Sequence, residues 1–292
     1  MTSTDTCKGI AVLRIAVPNK GSLSEAAAEV LREAGYRQRT DLRDLVLADA
    51  DNGVEFYYLR PRDIAVYVGS GELEAGITGR DLLIDSGAPA QEVLELGFGS
   101  STFRFAGSTE RDWTLADIKG KRVATSYPGL VETYLSKAGI KAIVVRLDGA
   151  VESSVRLGVA DVIADVVETG KSLRQAGLAT FGDPILTSEA VLIQRTDSAI
   201  APEVEILIRR LQGVIIARRY VLLDYDVPKD LVERACAITP GLESPTISPL
   251  QNPDWVAVRA MVPKKETNQV MDALWGLGAR GILVTDIHAC RL

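Results

Sequence analysis

Short apolar runs alternate along the chain with amphipathic stretches that open near Ser, Asp or Pro and end at Gly. The first run, residues 10–17, leads through a turn at residues 18–21 into a helical stretch, for which Ser24 is the expected N-cap and Gly35 the stop. Apolar runs of this length between turn residues are typical of buried strands. Their alternation with helical stretches predicts βα units and a mainly parallel sheet.

This alternation falls into three sections. It restarts near residue 101, and after residue 219 it changes to the order βαββαβ, which is the ferredoxin-like arrangement. We expect a strand at residues 188–194 to return the chain to the first section. The predicted organisation is a first α/β lobe from residues 1–100 with about 195–219, a second α/β lobe from residues 101–194, and a third domain from residues 220–292. Two α/β lobes with a cleft between them are typical of bilobal ligand-binding folds.

Composition narrows the classes of function. The 292 residues include 33 Lys and Arg against 39 Asp and Glu, a formal charge of -6, and 5% aromatic residues. This balance argues against a broad nucleic-acid surface, which needs positive charge and stacking rings. No window approaches ~18 uninterrupted apolar residues, so no membrane span is expected. A polar N-terminus and three distant cysteines without a CxxC pair predict a cytoplasmic protein, and the lone His288 excludes sites built from several imidazoles.

The most informative segment is the loop at residues 168–172, which joins a predicted strand to a helix. Its Thr169, Gly170, Lys171 and Ser172 supply two hydroxyls, an ammonium group and backbone N–H groups, which together suit a phosphate. The loop is not a P-loop, because that motif requires glycine where this chain has Asp165. A ribose 5-phosphate would satisfy both features, with its hydroxyls on the acid. The alternative interpretation is a capped helix beside a solvated carboxylate.

Charged side chains follow other predicted strands as well. Lys20, the Arg60 and Arg62 pair, and Arg80 with Asp81 come directly after strand ends. Each alone is typical of an ordinary surface, but ligands bind at the carboxyl ends of strands in open α/β sheets, so together these cations suit a polyphosphate. Near the start of the second lobe, the Tyr127 ring could stack on a base.

Four segments carry a resemblance to a known family: residues 17–24, 59–64, 76–82 and 152–173. With them, the sequence resembles the long form of the ATP phosphoribosyltransferases of histidine biosynthesis over nearly the whole chain past residue 10. Within the fourth segment, the matching positions are Glu152, Gly158, Asp165, Thr169, Gly170, Ser172 and Leu173. The family usually has threonine where this chain has Ser172, a departure that keeps the hydroxyl.

The resemblance implies a fold, an activity and ligands. The catalytic lobes would be similar to type II periplasmic binding proteins, and the third domain would be a ferredoxin-like, ACT-like regulatory domain. The reaction would join N1 of ATP to C1 of 5-phosphoribosyl 1-diphosphate, giving 1-(5-phospho-β-D-ribosyl)-ATP and diphosphate with Mg²⁺ required. L-Histidine would be the feedback inhibitor, AMP a further ligand, and the assembly a homo-oligomer ranging from dimer to hexamer.

Roles for individual residues complete these expectations. The expected catalytic residues are Lys20, Arg60, Asp81 and Asp165. The phosphoribosyl diphosphate would contact Asp165, Glu168, Thr169, Gly170, Lys171 and Ser172, and ATP would contact Lys20, Gly21, Arg60, Gly79, Arg80, Asp81 and Tyr127. Histidine would contact Asp226, Thr246, Met261 and Gly281. Mg²⁺ would be held mainly through substrate phosphates, with Asp81 as the candidate protein ligand. Without the resemblance, a non-catalytic bilobal protein that binds or senses a small ligand fits the same pattern.

Overall fold

The structure, a computed structural model, describes residues 12–167 and 169–291. By the density of its internal contacts, the chain divides into two units: Met1–Arg32 with Tyr36–Ile208, and Glu33–Gly35 with Arg209–Leu292. The larger unit contains two sheets and the smaller unit one. The predicted boundaries between the two lobes stay a prediction, since this division does not separate them.

The first lobe is built from alternating strands and helices, as the sequence pattern predicts. In chain order its elements are β1 (Leu13–Pro18), α1 (Ser22–Glu33), β2 (Val46–Asp49), β3 (Val54–Leu59), α2 (Pro61–Ser70), β4 (Ala75–Gly79), α3 (Arg80–Ser86) and β5 (Ala90–Glu95). Every residue of β4 is buried. A Cβ at Gly76 would lie 2.6 Å from Cγ2 of Ile64, so glycine here lets α2 pack directly on β4.

The second lobe follows with five strands and a further set of short helices. Its elements are β6 (Ser101–Ser108), a 3₁₀ turn (Leu115–Ile118), β7 (Arg122–Thr125), α4 (Pro128–Lys137), β8 (Ile143–Arg146), α5 (Ser153–Arg156), β9 (Val162–Val167), α6 (Lys171–Gln175) and β10 (Leu178–Ser188). They form a sheet in the order β10-β6-β9-β7-β8, in which β7 is parallel to both β8 and β9. Phe103, Phe105 and Ile118 form the centre of its core.

After β10 the chain returns to the first lobe. Strand β11 (Ala190–Arg195) lies between β4 and β5 and runs antiparallel to both, which gives the sheet order β2-β3-β1-β4-β11-β5. A returning antiparallel strand at this position is the arrangement expected of type II periplasmic-binding-protein lobes. By sheet membership, the chain is back in the first sheet from Ala190 onward.

Two details of the sequence prediction are wrong in this part of the chain. The first sheet is mixed rather than mainly parallel, because the β2–β3 hairpin and the returning strand add antiparallel pairings to the parallel β3-β1-β4 core. Helix α1 begins at Ser22, so Ser24 lies inside its first turn and is not the N-cap. The start of the predicted first strand, residues 10 and 11, lies outside the described residues.

The smaller unit has the predicted ferredoxin-like order. Its elements after α7 (Pro202–Arg219), which crosses from the larger unit, are β12 (Tyr220–Pro228), a 3₁₀ turn (Lys229–Leu231), α8 (Val232–Ile238), β13 (Thr246–Pro249), β14 (Trp255–Pro263), a second 3₁₀ turn (Lys264–Glu266), α9 (Thr267–Leu277) and β15 (Arg280–Asp286). The sheet is antiparallel throughout, in the order β13-β14-β12-β15. Alternate residues of β12 are buried among α8 and α9, from Val221 to Val227.

The predicted α/β class is therefore confirmed, with mixed sheets in both lobes and a βαββαβ unit after them. Across the described ranges, none of the helices has the length and apolar character required to cross a membrane.

Candidate active site

The residues predicted to bind substrates lie at two neighbouring sheet edges. Strands β1, β3 and β4 are parallel, so the loops after them, which carry Lys20, Arg60 and Asp81, share one edge of the first sheet. In the second lobe β7, β8 and β9 are parallel, so the loops that carry Tyr127 and Thr169 share an edge there. Ligand sites at such edges are the rule in open α/β sheets.

Asp81 lies in the first turn of α3 and is 7% exposed. Its Oδ1 accepts hydrogen bonds from the Leu82 N–H (2.9 Å) and from the Ser188 hydroxyl (3.0 Å). Gly79 makes this orientation possible, because a Cβ at that position would collide with the same carboxylate oxygen. The Asp81 carboxylate also accepts a hydrogen bond from the Tyr127 hydroxyl.

Asp165 lies on β9 and is a carboxylate in an unfavourable environment. Burial raises its pKa to about 6, and the charges of Glu152 and Asp81 add to this effect, while a hydrogen bond from the Val166 N–H (2.8 Å) opposes it. Two carboxylates of the second lobe and one of the first therefore interact electrostatically. Such a cluster is suited to binding hydroxyl groups, a cation or developing positive charge.

Tyr127 lies beside this carboxylate cluster. Burial raises the pKa of its hydroxyl well above the ordinary value, and the charges of Asp81 and Asp165 raise the pKa further. The ring packs edge-on against Phe103, with the centroids 5.2 Å apart. Cζ of Arg62 lies 4.9 Å from the ring centroid, a cation–π contact that partly offsets the shift.

The loop after β9 has the geometry expected of a turn into a helix. Gly170 adopts φ +66°, in the left-handed region that favours glycine, and Leu173 is buried and holds the start of α6 in the second-lobe core. Thr169 and Ser172 are exposed, and within the described part of the chain neither hydroxyl has a hydrogen-bond partner. The loop borders an open cavity of about 230 Å³. Glu168, also predicted to bind the phosphoribosyl group, lies outside the described residues.

Lys20 and Gly21 are exposed in the loop after β1, and Arg60 is exposed directly before α2. Neither cation forms an ion pair with another described residue. Two hydrogen bonds hold the loop after β1 in place: the Asn19 N–H donates to the Leu59 carbonyl (2.8 Å), and the Arg39 guanidinium donates to the Asn19 carbonyl (2.8 Å). Both cations are therefore available to an anionic ligand at this edge.

Arg80, which the sequence predicts to bind ATP, is instead engaged within its own lobe. Its guanidinium donates to Glu92 at 2.9 and 2.7 Å and to Glu95 at 2.7 Å, and Glu189 lies 3.7 Å away. These acids raise its pKa further, and 18% of the side chain is exposed. These carboxylates hold the Arg80 side chain at this edge, and its contact with ATP stays a prediction.

The structure also brings in residues that the sequence did not single out for this site. Ser188 ends β10 and contacts Asp81, and Asp85 at the end of α3 contacts both Arg62 and the N–H of Leu130. The contacts of Ser188 with Asp81 and of Asp85 with Leu130 join residues 107 and 45 positions apart, so no local pattern reveals them.

The four residues predicted to bind histidine all belong to the four-stranded sheet of the smaller unit. Asp226, on β12, and Met261, on β14, are half-buried and alternate with the core residues of their strands, which places them on the face opposite α8 and α9. Thr246 begins the edge strand β13 and is exposed. Gly281 has φ +58°, and a Cβ there would lie 3.3 Å from Oδ2 of Asp226, so the glycine leaves that carboxylate accessible.

A protein-built metal centre is absent from the described ranges, which hold no group of three or more His, Cys, Asp or Glu side chains arranged around a common point.

Comparison with known proteins gives consistent matches. Residues 60–213 match the family model described as HisG: ATP phosphoribosyltransferase, and residues 217–289 match the model described as HisG, C-terminal domain. The ATP phosphoribosyltransferase of Pseudarthrobacter chlorophenolicus is 66% identical over 284 residues, and that of Mycobacterium tuberculosis is 57% identical over 283 residues. Each alignment covers 96% of this chain and 100% of the relative.

Among solved structures, the ATP phosphoribosyl transferase (HisG:HisZ) complex from Thermotoga maritima matches with a TM-score of 0.60 and 25% identity. The match covers 70% of this chain and 97% of that chain.

Proposed function

The chain belongs to the ATP phosphoribosyltransferase family, and we propose that its two lobes each bind one of the two substrates. As a pentosyltransferase of histidine biosynthesis, it joins N1 of ATP to C1 of 5-phosphoribosyl 1-diphosphate, here called the phosphoribosyl donor. The observation that supports the division is the convergence of Asp81 from the first lobe with Asp165 and Tyr127 from the second.

The second lobe binds the phosphoribosyl donor. Residues 168–172 hold its 5-phosphate through the free hydroxyls of Thr169 and Ser172, the Lys171 ammonium and the first backbone N–H groups of α6, which lack partners inside a helix. Asp165 holds the ribose hydroxyls, and the charge of Glu152 acts on the same carboxylate. A ribose that donates its hydroxyls to these acids replaces the solvation that burial removes.

The first lobe binds ATP. Lys20, Gly21 and Arg60 face the phosphates from the loops after β1 and β3, and Gly79 with Asp81 approaches from the loop after β4. Tyr127 lies beside the adenine. Arg80 fixes the backbone before Asp81 through its contacts with Glu92 and Glu95.

The chemistry requires electrostatic stabilisation rather than a strong base. The adenine N1 lone pair is already nucleophilic, so its attack on C1 forms the new C–N bond while the C–O bond to diphosphate breaks and the electron pair leaves with the diphosphate. Lys20 and Arg60 stabilise the negative charge that develops on the diphosphate. Asp81 and Asp165 stabilise the positive charge that develops on the ribosyl group between them.

Mg²⁺ fits this site as an ion bound mostly by substrate. Hard oxygen ligands are present in Asp81 and Asp165, but they are fewer than the ion requires, which agrees with the usual mode of binding through one or two carboxylates and substrate phosphates. Asp81 is the candidate protein ligand, because it lies in the first turn of α3, at the sheet edge where the substrate phosphates would bind. When bound, Mg²⁺ neutralises phosphate charge.

The smaller unit regulates the enzyme. Histidine binds on the open sheet face through Asp226, Thr246, Met261 and Gly281, and AMP is a further ligand of the inhibited enzyme. The enzyme is cytoplasmic and forms a homo-oligomer ranging from dimer to hexamer. Inhibition requires that histidine bind one conformational state more tightly than the other.

A direct assay tests the assignment. The protein is mixed with ATP, the phosphoribosyl donor and Mg²⁺, and the ultraviolet absorbance of the adduct is followed with and without histidine. We expect a rise that depends on all three components and is suppressed by histidine. Binding of ATP without product would favour the non-catalytic ligand-binding alternative, and product formation insensitive to histidine would refute only the regulatory role.

A further inference from the structure

We infer that Arg62 and Asp85 form a latch between the two lobes that positions Tyr127 at the adenine. Away from the two points where the chain crosses between lobes, α3 and α4 lie in contact. The latch consists of Arg62, Asp85, Tyr127, Gly129 and Leu130. The relevance of the latch to ATP rests on the proposed role of Tyr127 in binding ATP. The contacts between the two lobes do not depend on that role.

Asp85 is the centre of the latch, and its side chain is only 7% exposed. One carboxylate oxygen, Oδ2, accepts from Nη1 of Arg62 at 2.6 Å, and the other, Oδ1, accepts from the Leu130 N–H at 3.2 Å. Arg62 belongs to the first lobe and Leu130 to the first turn of α4 in the second. One buried carboxylate therefore satisfies a cation from one lobe and an otherwise unpaired helix N–H from the other.

The close approach of the two helices is fixed by a small residue. A Cβ at Gly129 would collide with the backbone carbonyl oxygen of Asp85. Gly129 and Leu130 follow Tyr127 in sequence, so any change in the distance between α3 and α4 moves the Tyr127 backbone as well.

Arg62 also contacts the Tyr127 side chain directly, since its Cζ lies 4.9 Å from the ring centroid. Phe103 packs edge-on against that ring, so the tyrosine is held from within its own lobe and from the other. A planar guanidinium can form an ion pair and lie over a ring at the same time, which the ammonium of lysine does poorly. Arg62 is thus a positioning residue: it acts on the substrate through Tyr127.

The experiment compares Arg62→Lys and Asp85→Asn with Arg14→Lys, whose ion pair with Glu74 (2.7 Å) involves neither Tyr127 nor α4. Hydrogen exchange of residues 128–135 reports on the latch without reference to activity. We expect exchange at the start of α4 to accelerate by about tenfold or more in the two latch variants. In Arg62→Lys the Asp85 carboxylate that accepts from the Leu130 N–H is held less firmly, and in Asp85→Asn a neutral amide oxygen replaces it as a weaker acceptor. The KM for ATP should rise by about fivefold or more with little change in the KM for the phosphoribosyl donor. Arg14→Lys should alter none of these values.

Unchanged exchange in both latch variants would overturn the inference, whatever the kinetics. Faster exchange with an unchanged KM for ATP would also overturn it, provided that Tyr127→Ala raises that KM. If Tyr127→Ala leaves the KM for ATP unchanged, the proposed role of Tyr127 in binding ATP fails, and exchange alone then decides whether the latch exists.

Discussion

The Ser188 hydroxyl forms two hydrogen bonds with Asp81: it accepts from the Asp81 N–H and donates to the Asp81 Oδ1, each at 3.0 Å. Both residues are buried. Ser188 ends the last strand of the second lobe's sheet, and Asp81 begins a helix of the first. The carboxylate proposed to act on the substrates is therefore oriented by the segment through which the chain returns between lobes.

Replacing Ser188 with Ala should damage catalysis more than folding. The variant leaves a buried N–H without its partner and frees the Asp81 carboxylate, at a cost of about 1–3 kcal/mol. If the displaced Asp81 carboxylate stabilises the transition state less well, kcat falls about tenfold for each ~1.4 kcal/mol added to the activation free energy. Steady-state kinetics and chemical unfolding measure the two effects.

Thr239→Val is the matched control, because Thr239 is equally buried and its hydroxyl pairs with the Tyr225 hydroxyl at 2.8 Å in the smaller unit. It should lose similar stability with kcat intact. Equal kcat for Ser188→Ala and the unaltered enzyme would refute the orienting role.

Asp165→Asn should show a pH dependence of stability with a definite sign. Because burial raises the pKa of Asp165 from 3.8 to about 6, the native state binds this proton more tightly than the unfolded chain does. The ionised carboxylate therefore opposes folding, and its cost grows as pH rises through that range. At alkaline pH, the free energy of unfolding of the variant should exceed that of the unaltered protein by up to about 3 kcal/mol. In acid below the ordinary pKa of aspartate, the two proteins should be equally stable.

Asp161→Asn supplies the opposite case, since Arg122 holds the pKa of Asp161 below its ordinary value. It should destabilise the protein at neutral pH, with the effect fading in acid.

In the unaltered enzyme, kcat/KM for the phosphoribosyl donor should fall as pH drops through about 6, because Asp165 must be ionised to hold the ribose. A flat profile there would contradict the proposed contact.

Thr169→Val and Ser172→Val should each raise the KM for the phosphoribosyl donor while leaving the KM for ATP unchanged. Each removes one hydrogen bond to a charged phosphate, worth about 1.5–3 kcal/mol, or roughly a tenfold to hundredfold change. Thr196→Val, at an exposed threonine after β11, is the control for the substitution itself. An unchanged KM in both loop variants would eliminate the loop as the phosphate site.

Asp226→Ala should weaken inhibition by histidine and spare the uninhibited rate. Loss of a charge-assisted hydrogen bond of about 1.5–3 kcal/mol predicts a rise of about tenfold or more in the half-inhibiting concentration. Asp272→Ala removes an exposed acid from α9, on the opposite side of the sheet, and should leave inhibition unaltered. Inhibition of Asp226→Ala at the original concentration would exclude this residue from the site.

Local pattern was sufficient for much of the fold. The strand predicted directly before the loop at residues 168–172 is present as β9, Val162–Val167, because an apolar run between turn residues has few alternatives. Strand β10 is not predicted by the pattern, since it is a largely exposed edge strand interrupted by Gly182 and Pro184, and its register shifts between Phe181 and Leu186. An edge strand of this kind lacks the apolar signal that marks a buried one.

The site shows the same division between local and long-range information. Asp81 and Arg80 are adjacent at the end of a strand, and both were predicted to face the cleft. Successive residues of a helix point in different directions, so Asp81 contacts Ser188 while Arg80 reaches Glu92, Glu95 and Glu189. Those acids lie 12 to 109 positions further along the chain, so their contacts with Arg80 form only in the folded sheet and cannot be predicted from the local sequence.

The position of β11 has a consequence for synthesis on the ribosome. Strand β5 pairs with β11 alone, and β4 reaches β5 only through it, so the first sheet cannot be completed until the nascent chain has emerged past Arg195. The second lobe is by then fully translated. A fragment that ends at residue 100 would leave β5 without a neighbouring strand. Isolating the first lobe would instead require an internal deletion of the second lobe that joins β5 to β11 as a hairpin.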